Sequence, residues 1–256
     1  MNMIQEFKEL HFSNELLFLG NAWDIFSALT LEKTGFKAIG TTSWGIANSL
    51  GFSDGELINF DRHLEIIKNI VENVKIPVSA DIEAGYSEDI NVIVDNVLRT
   101  ADVGVAGINI EDSLKRSNGL REISGHCNLL EKIRITLDHN GFKDFYINAR
   151  TDTYFQKETP LIETIERAKA YVESGASGIF VPGMKEDDDI KEIIINIDAP
   201  LNVLSLPGLT NCNQLRELGV RRFSFGNALS DKVNAHLEKN VEKLLTFRDT
   251  SHLYEN

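Results

Sequence analysis

The stretch VSADIEAGYSED (78–89) places Asp81 and Glu83 two residues apart where an apolar run ends. In an extended chain alternate side chains leave the same face, so both carboxylates point one way. Glu111 closes a second such run, GINIED (107–112). Three converging carboxylates without histidine or cysteine suit a hard, oxygen-seeking cation; Mg2+ would keep several waters and await oxygens from a substrate. Arg150, near the end of FYINART (145–151), carries a planar fork that suits a carboxylate or phosphonate. Other runs end in Asn21, Trp23 and Asp24, in Thr42, Ser43 and Trp44, and in Asn202 and Ser205, with Asp54 in the loop after the second run. Acids at strand ends are common, and Asp112 and Asp152 equally suit capping of the loops that follow them. The chemistry therefore rests on the constellation and on the elements that bring it together.

Those elements alternate. Strands are expected at 16–21, 37–43, 77–83, 107–112, 145–151, 178–183, 201–207 and 221–227. Between them lie helix-like segments, several running into glycine, as in EKTGF, ESGAS and RELGV. Glycine ends a helix at little steric cost because it tolerates a left-handed backbone. The strands read as apolar and β-branched on both faces, as expected under a cover of helices. Eight strand–helix units without a Pro/Gly/Ser linker predict a single-domain α/β protein over 1–256, a (β/α)8 (TIM) barrel; a doubly wound open sheet is the competing architecture. In a barrel every strand ends on one face, which is where active sites sit. A last amphipathic helix is expected over about 228–248, its apolar stripe made by Leu237, Val241, Leu244 and Leu245.

Composition narrows the function classes. The chain has 256 residues and a formal net charge of −13, which argues against nucleic acid as a partner but permits a small anionic substrate in a locally cationic pocket. Its two cysteines, Cys127 and Cys212, form no CxxC pattern, so neither a disulfide framework nor a thiolate zinc site is indicated and a cytoplasmic location is expected. No run reaches membrane-spanning length.

The segments GFKAIGTTSWGIANSLGFSDGE, VSADIEAGY, GINIEDS, INARTD, GIFVPG and LNVLSLPG…LGVRRFSFG together resemble the isocitrate lyase/phosphoenolpyruvate mutase superfamily, from about Asn21 to Leu229. The resemblance implies a barrel that binds Mg2+, with Mn2+ as the alternative, and a 2-oxo acid, its enol or a phosphonate analogue. It implies that Asp81, Glu83 and Glu111 hold the metal and that Asp54 reaches it through water. Thr42, Ser43 and Trp44 would grip the substrate carboxylate, with Asn202 a further contact, and Arg150 would meet the anionic group. It also implies a homotetramer of swapped dimers, the segment after about 228 crossing to a partner.

Two departures qualify it. The lyase lid motif Lys-Lys/Arg-Cys-Gly-His is absent: the region reads EDSLKRSNGLREISGHCN, and Cys127 follows Gly-His, so it is not the acid/base cysteine by motif. Arg116, Ser117, Asn118 and Gly119 instead resemble the Lys-Thr-Asn-Ser lid of the phosphonate branch, with Asn118 excluding water. Glu83 stands where many relatives carry aspartate. The expected function is a Mg2+-dependent lyase or phosphonomutase that cleaves or rearranges the C–C or P–C bond beside an oxo group through an enolate. An oxaloacetate decarboxylase and a 2-oxo acid binding protein with little turnover are the alternatives.

Overall fold

The computed structural model describes residues 2–115 and 119–254. Eight parallel strands, β1 (Leu17–Ala22), β2 (Ile39–Thr41), β3 (Val78–Asp81), β4 (Gly107–Glu111), β5 (Tyr146–Arg150), β6 (Gly178–Val181), β7 (Leu201–Leu204) and β8 (Arg222–Ser224), close into a barrel in chain order. The last strand returns to the first, pairing Leu17 with Arg222 and Leu19 with Ser224.

The helices are α1 (Met3–Phe12), α2 (Ile25–Lys33), α3 (Ser43–Ser49), α4 (Phe60–Asn73), α5 (Ile90–Asp102) and α6 (Ile123–His139). They continue with α7 (Thr153–Gln156), α8 (Leu161–Glu173), α9 (Asp187–Asn196), α10 (Cys212–Leu218) and α11 (Ala228–Phe247). All eight expected strands form, and the open sheet is excluded by the closed ring. Helices α1, α3 and α7 lie outside the periodic segments: α3 begins where Thr42 caps it, its side chain accepting from the Gly45 amide, so β2 stops at Thr41. None of the helices is long and apolar enough to cross a membrane among the described residues.

The strand faces differ from the expectation. On β4, Ile108 and Ile110 turn outward into the main apolar cluster beneath the helices, with Ile147, Ala149, Ile179, Val181 and Val203 of the next strands. The inner face is largely polar: Ser79, Asp81, Asn109, Glu111, Asn148, Arg150, Asn202, Arg222 and Ser224 alternate with those outward residues. Such a lining departs from the branched apolar layers usual inside these barrels. The far end of the barrel is apolar, filled by Leu17, Leu19, Ala38, Ala106 and Tyr146 and sealed by Phe7 of α1. Tyr146 fits because its neighbours are small: a Cβ on Gly178 would lie 2.2 Å from the phenolic oxygen, and one on Gly107 2.5 Å from the Tyr146 carbonyl.

Helix α11 packs loosely. Ser230 is its one buried residue, and Leu237, Val241, Leu245 and Phe247 are exposed while Leu244 is half-buried. The stripe expected from the sequence is present and is not covered by this chain's own barrel.

Candidate active site

A cavity of about 310 Å³ opens among the strand C-termini, lined by Ser43, Trp44, Asp54, Asp81, Asn109 and Arg150, with Phe155, Phe180 and Leu204 supplying apolar wall. Asp81 ends β3; its Oδ2 accepts from the Ser43 amide at 3.3 Å and the Ser43 hydroxyl at 3.0 Å. Thus the first turn of α3 is spent on an acid of the chain itself. Trp44 lies at the rim, its indole N–H donating to Asp231 of α11 at 3.0 Å.

Glu83 and Glu111 are buried and share one cation that sequence reasoning missed. Lys115 lies 3.0 Å from Glu83 Oε2 and 2.5 Å from Glu111 Oε1. Arg150 reaches Glu111 Oε2 at 3.0 Å and clasps Asp152 through Nε at 2.6 Å and Nη2 at 3.0 Å. Burial, and then the charge of Asp54, push Glu83 up to about 7 against the pull of Lys115. Burial also raises Glu111, opposed by Arg150 and Lys115, and raises Asp54, reinforced by Asp81. Burial alone would lower Lys115; Glu111 and Glu83 overcome it and raise the ammonium. Carboxylates outnumber cations here, and each holds the others' protons more tightly.

The loops carrying these acids are strained and mutually clasped. Glu56, Glu83 and Tyr86 all adopt left-handed backbone, with φ of 63°, 51° and 62°. The Glu56 amide donates to Glu83 Oε1 at 3.2 Å, while Glu56 Oε1 accepts from the Ala84 and Tyr86 amides at 3.0 and 2.8 Å. The Tyr86 hydroxyl adds a 3.1 Å bond to Glu83 Oε1. Non-glycine residues persist in this region only where the surroundings over-determine them. Both glutamates lie within GFSDGE and DIEAGY, but nothing in their types announces the clasp.

The segment that follows β4 is equally well anchored. Leu114 N–H donates to the Gly119 carbonyl at 2.8 Å, and Ser113 pairs with Leu120. Beneath it Asp112 is fully buried and accepts from Arg167 at 3.2 Å, the Tyr171 hydroxyl at 2.7 Å and the Asp152 amide at 3.1 Å. Asp112 and Asp152 are therefore network residues; neither caps a helix through its side chain. Asp24 does, forming a capping box on α2 with Ser27. Asn118, together with Arg116 and Ser117, lies outside the described residues. Asn202 is buried one layer below the cavity, and Leu204 takes the lining position on β7. Asn21 is occupied in stitching β1 to the Phe225 and Gly226 amides at 3.2 and 2.9 Å. Cys127 sits within α6 and packs against the main apolar cluster.

Among the described residues no three histidine, cysteine or acidic side chains form a preassembled metal cage. The donor set still suits a hard divalent cation: Asp54, Asp81, Glu83 and Glu111 offer oxygen only, and Asp54 Oδ1 is buried without a hydrogen-bond partner among the described residues.

The family profile described as phosphoenolpyruvate phosphomutase matches residues 7–245. The chain belongs to this family, within the phosphoenolpyruvate mutase/isocitrate lyase superfamily. It is 38% identical over 222 residues to the uncharacterised protein MT2054 of Mycobacterium tuberculosis (strain CDC 1551 / Oshkosh), covering 86% of this chain and 81% of that one. It is 31% identical over 198 residues to the 2,3-dimethylmalate lyase of Eubacterium barkeri, covering 75% of this chain and 68% of the lyase. A Burkholderia cenocepacia J2315 structure, described provisionally as a phosphonomutase, superposes with a TM-score of 0.89 at 31% identity, covering 94% of this chain and 99% of that one. Membership of a superfamily of lyases and mutases makes the chain an enzyme of that broad kind.

Proposed function

We propose that this chain is a Mg2+-dependent lyase that cleaves the carbon–carbon bond beside the oxo or hydroxyl carbon of a small anionic acid, by way of an enolate. The observation that carries the reading is the surplus of buried carboxylate at a small pocket that Arg150, paired to Glu111 on the neighbouring strand, also lines. A site for a divalent cation and a site for an anionic ligand are thereby adjacent. The 31% identity to a 2,3-dimethylmalate lyase favours carbon–carbon cleavage.

Asp81, with Asp54 and Glu83 behind it, would hold the metal, and Glu111 would complete the set from β4. When bound, the metal supplies Lewis-acid stabilisation of negative charge developing on an enolate oxygen. Ser43 orients Asp81 by giving it both donors. Arg150 is immobilised by Glu111 and Asp152, so its fork is set before an anion arrives and needs little reorganisation. Phe155, Phe180 and Leu204 keep that part of the pocket apolar, which strengthens the charge interactions within it. Lys115 brings the lid base down over the acids and narrows the access of water.

A second reading, P–C bond chemistry on a phosphonate, draws on the likeness to the provisional phosphonomutase and on the two cations near the pocket. A panel of oxaloacetate, 2-alkylmalates and phosphonopyruvate, with and without Mg2+, tests both. Release of pyruvate or another 2-oxo acid, or of CO2, supports carbon–carbon cleavage, whereas phosphate release or a mutase product supports the second. Mg2+-dependent binding without product would reduce the chain to a binding protein.

A further inference from the structure

Below the pocket floor lies a buried cation that the proposed chemistry does not use. Arg222, on β8, is 1% exposed. Its Nη2 donates to Asn109 Oδ1 at 3.2 Å and approaches Ser79 Oγ at 3.5 Å. Its guanidinium carbon stands 5.7 Å from the Phe7 ring centroid, and Nε and Nη1 have no hydrogen-bond partner among the described residues. Burial lowers its pKa to about 10, so it remains charged at neutral pH. Among the described residues no carboxylate forms an ion pair with it. An unpaired charge taken out of water is costly, and packing alone would be served better by an apolar side chain of similar volume.

What Arg222 does to Asn109 is specific. Guanidinium has donors only, so the Asn109 atom facing it must be the carbonyl oxygen. Asn148 Nδ2 donates to the same oxygen at 2.8 Å. With Oδ1 held by two donors below and beside it, the amide cannot flip without setting N–H against N–H. Asn109 lines the cavity, and its Nδ2 donates to no acceptor among the described residues.

We propose that Arg222 is a positioning residue: by holding Asn109 Oδ1 from beneath, it turns the Asn109 amide N–H group into the pocket as a fixed donor for an oxygen of the bound anion. The inference rests on the reading that this pocket takes a small anion. It adds a floor donor beneath the acid cluster, two residues before Glu111 on β4 and in register with Asp81, supported by a charge one layer below, in the way outer residues orient the inner groups of other polar sites.

The probe is oxalate, titrated calorimetrically in the presence of Mg2+. Asn109→Asp keeps an acceptor for Arg222 and Asn148 but replaces the donor with a second acceptor. It is expected to melt no lower than the wild type, because Arg222 gains an ion partner, and to bind oxalate at least tenfold more weakly. Asn109→Ala, which adds no charge, should weaken oxalate at least fivefold. Arg222→Met should weaken it about fivefold in the wild-type background and less than twofold in the Asn109→Ala background. Should Arg222→Met not fold, Arg222→Lys, which keeps a buried donor for Asn109 Oδ1, replaces it: oxalate affinity within twofold of wild type is expected, and a loss as large as that of Asn109→Ala overturns the proposal. Wild-type oxalate affinity in Asn109→Ala, or equal losses from Arg222→Met in both backgrounds as a space-filling Arg222 predicts, overturns the proposal. A wild type that binds oxalate with this pattern but turns over no member of the panel removes the proposed reaction and leaves the inference. One that turns over substrate with an unaltered KM in Asn109→Asp removes the inference and leaves the reaction.

Discussion

Lys115 Nζ sits 2.5 Å from Glu111 Oε1, four residues earlier in the chain, so the segment leaving β4 folds back over the strand end that launches it. The same ammonium is 3.0 Å from Glu83 Oε2. A divalent ion that draws on these two oxygens competes with Lys115 for them. Lys115→Met should therefore raise the affinity for Mn2+ by about tenfold, read by electron paramagnetic resonance of the free ion. An unchanged or lower affinity would show that the lysine and the metal do not share ligands.

Asp81 lies on β3 with its carboxylate already oriented by Ser43. Asp81→Ala should weaken Mg2+ binding and lower Mg2+-dependent turnover at least a hundredfold, with the circular dichroism of the barrel retained. Full magnesium affinity in that variant would remove Asp81 from the metal set.

Cys127 packs on the main apolar cluster from α6. Cys127→Ser should keep turnover within about twofold at the cost of a small loss of stability, about 1 kcal/mol for a hydroxyl in a partly apolar niche. A loss of several orders of magnitude in kcat would mean that the thiol performs acid/base work.

Acid should destabilise the fold through its buried histidines. His126 is fully buried, neither ring nitrogen has a hydrogen-bond partner among the described residues, and burial with the charges of Arg121 and Arg167 pushes its pKa down to about 3. His11, stacked on Tyr146, is lowered to about 3 by burial and Arg222. Both are neutral when folded, whereas the unfolded chain takes up their protons near pH 6.5. Their contribution is intact above that pH and is lost as pH falls toward 3, at about 1.4 kcal/mol per pH unit for each. Urea titrations at pH 7 and 5 check this. His126→Phe should reduce the loss between those pH values by about 2 kcal/mol.

Helix α11 exposes Leu237, Val241 and Leu245 on one stripe. The superfamily resemblance motivates a homotetramer in which a partner's barrel covers it. Sedimentation should give a dimer or tetramer, and truncation after residue 230 an aggregating chain. A clean 28.7 kDa monomer at micromolar concentration would refute the swap.

The architecture was legible because it repeats. Each strand is a short apolar run closed by a turn signal, and all eight sit where the runs predict. Asp81, Glu111 and Arg150 could be placed together because strand ends share one face of a barrel, whereas β3 stops at Asp81 and Glu83 follows in a left-handed loop, so the strand alternation expected to pair it with Asp81 does not hold. Lys115 could not, since a lysine in a polar loop has no periodicity to betray its inward turn. Its spacing of four from Glu111 was the only hint. The clasp between Glu56 and the 83–86 loop depends on backbone angles that a residue's type does not specify. Arg222 hid for another reason. A charged residue entering a short strand reads as its solvated edge, and only the closed ring shows that its side chain faces inward.

The pairing of Leu17 with Arg222 has a consequence for synthesis. The ring's first strand leaves the ribosome long before the strand that completes it. At about 5–20 residues per second, β1 waits roughly 10–40 s for β8 to be made. During that interval Phe7 and Leu19 have no finished barrel to enter, and the polar inner residues remain hydrated. A circular permutant opened elsewhere in the ring would shift that interval to a different pair of strands.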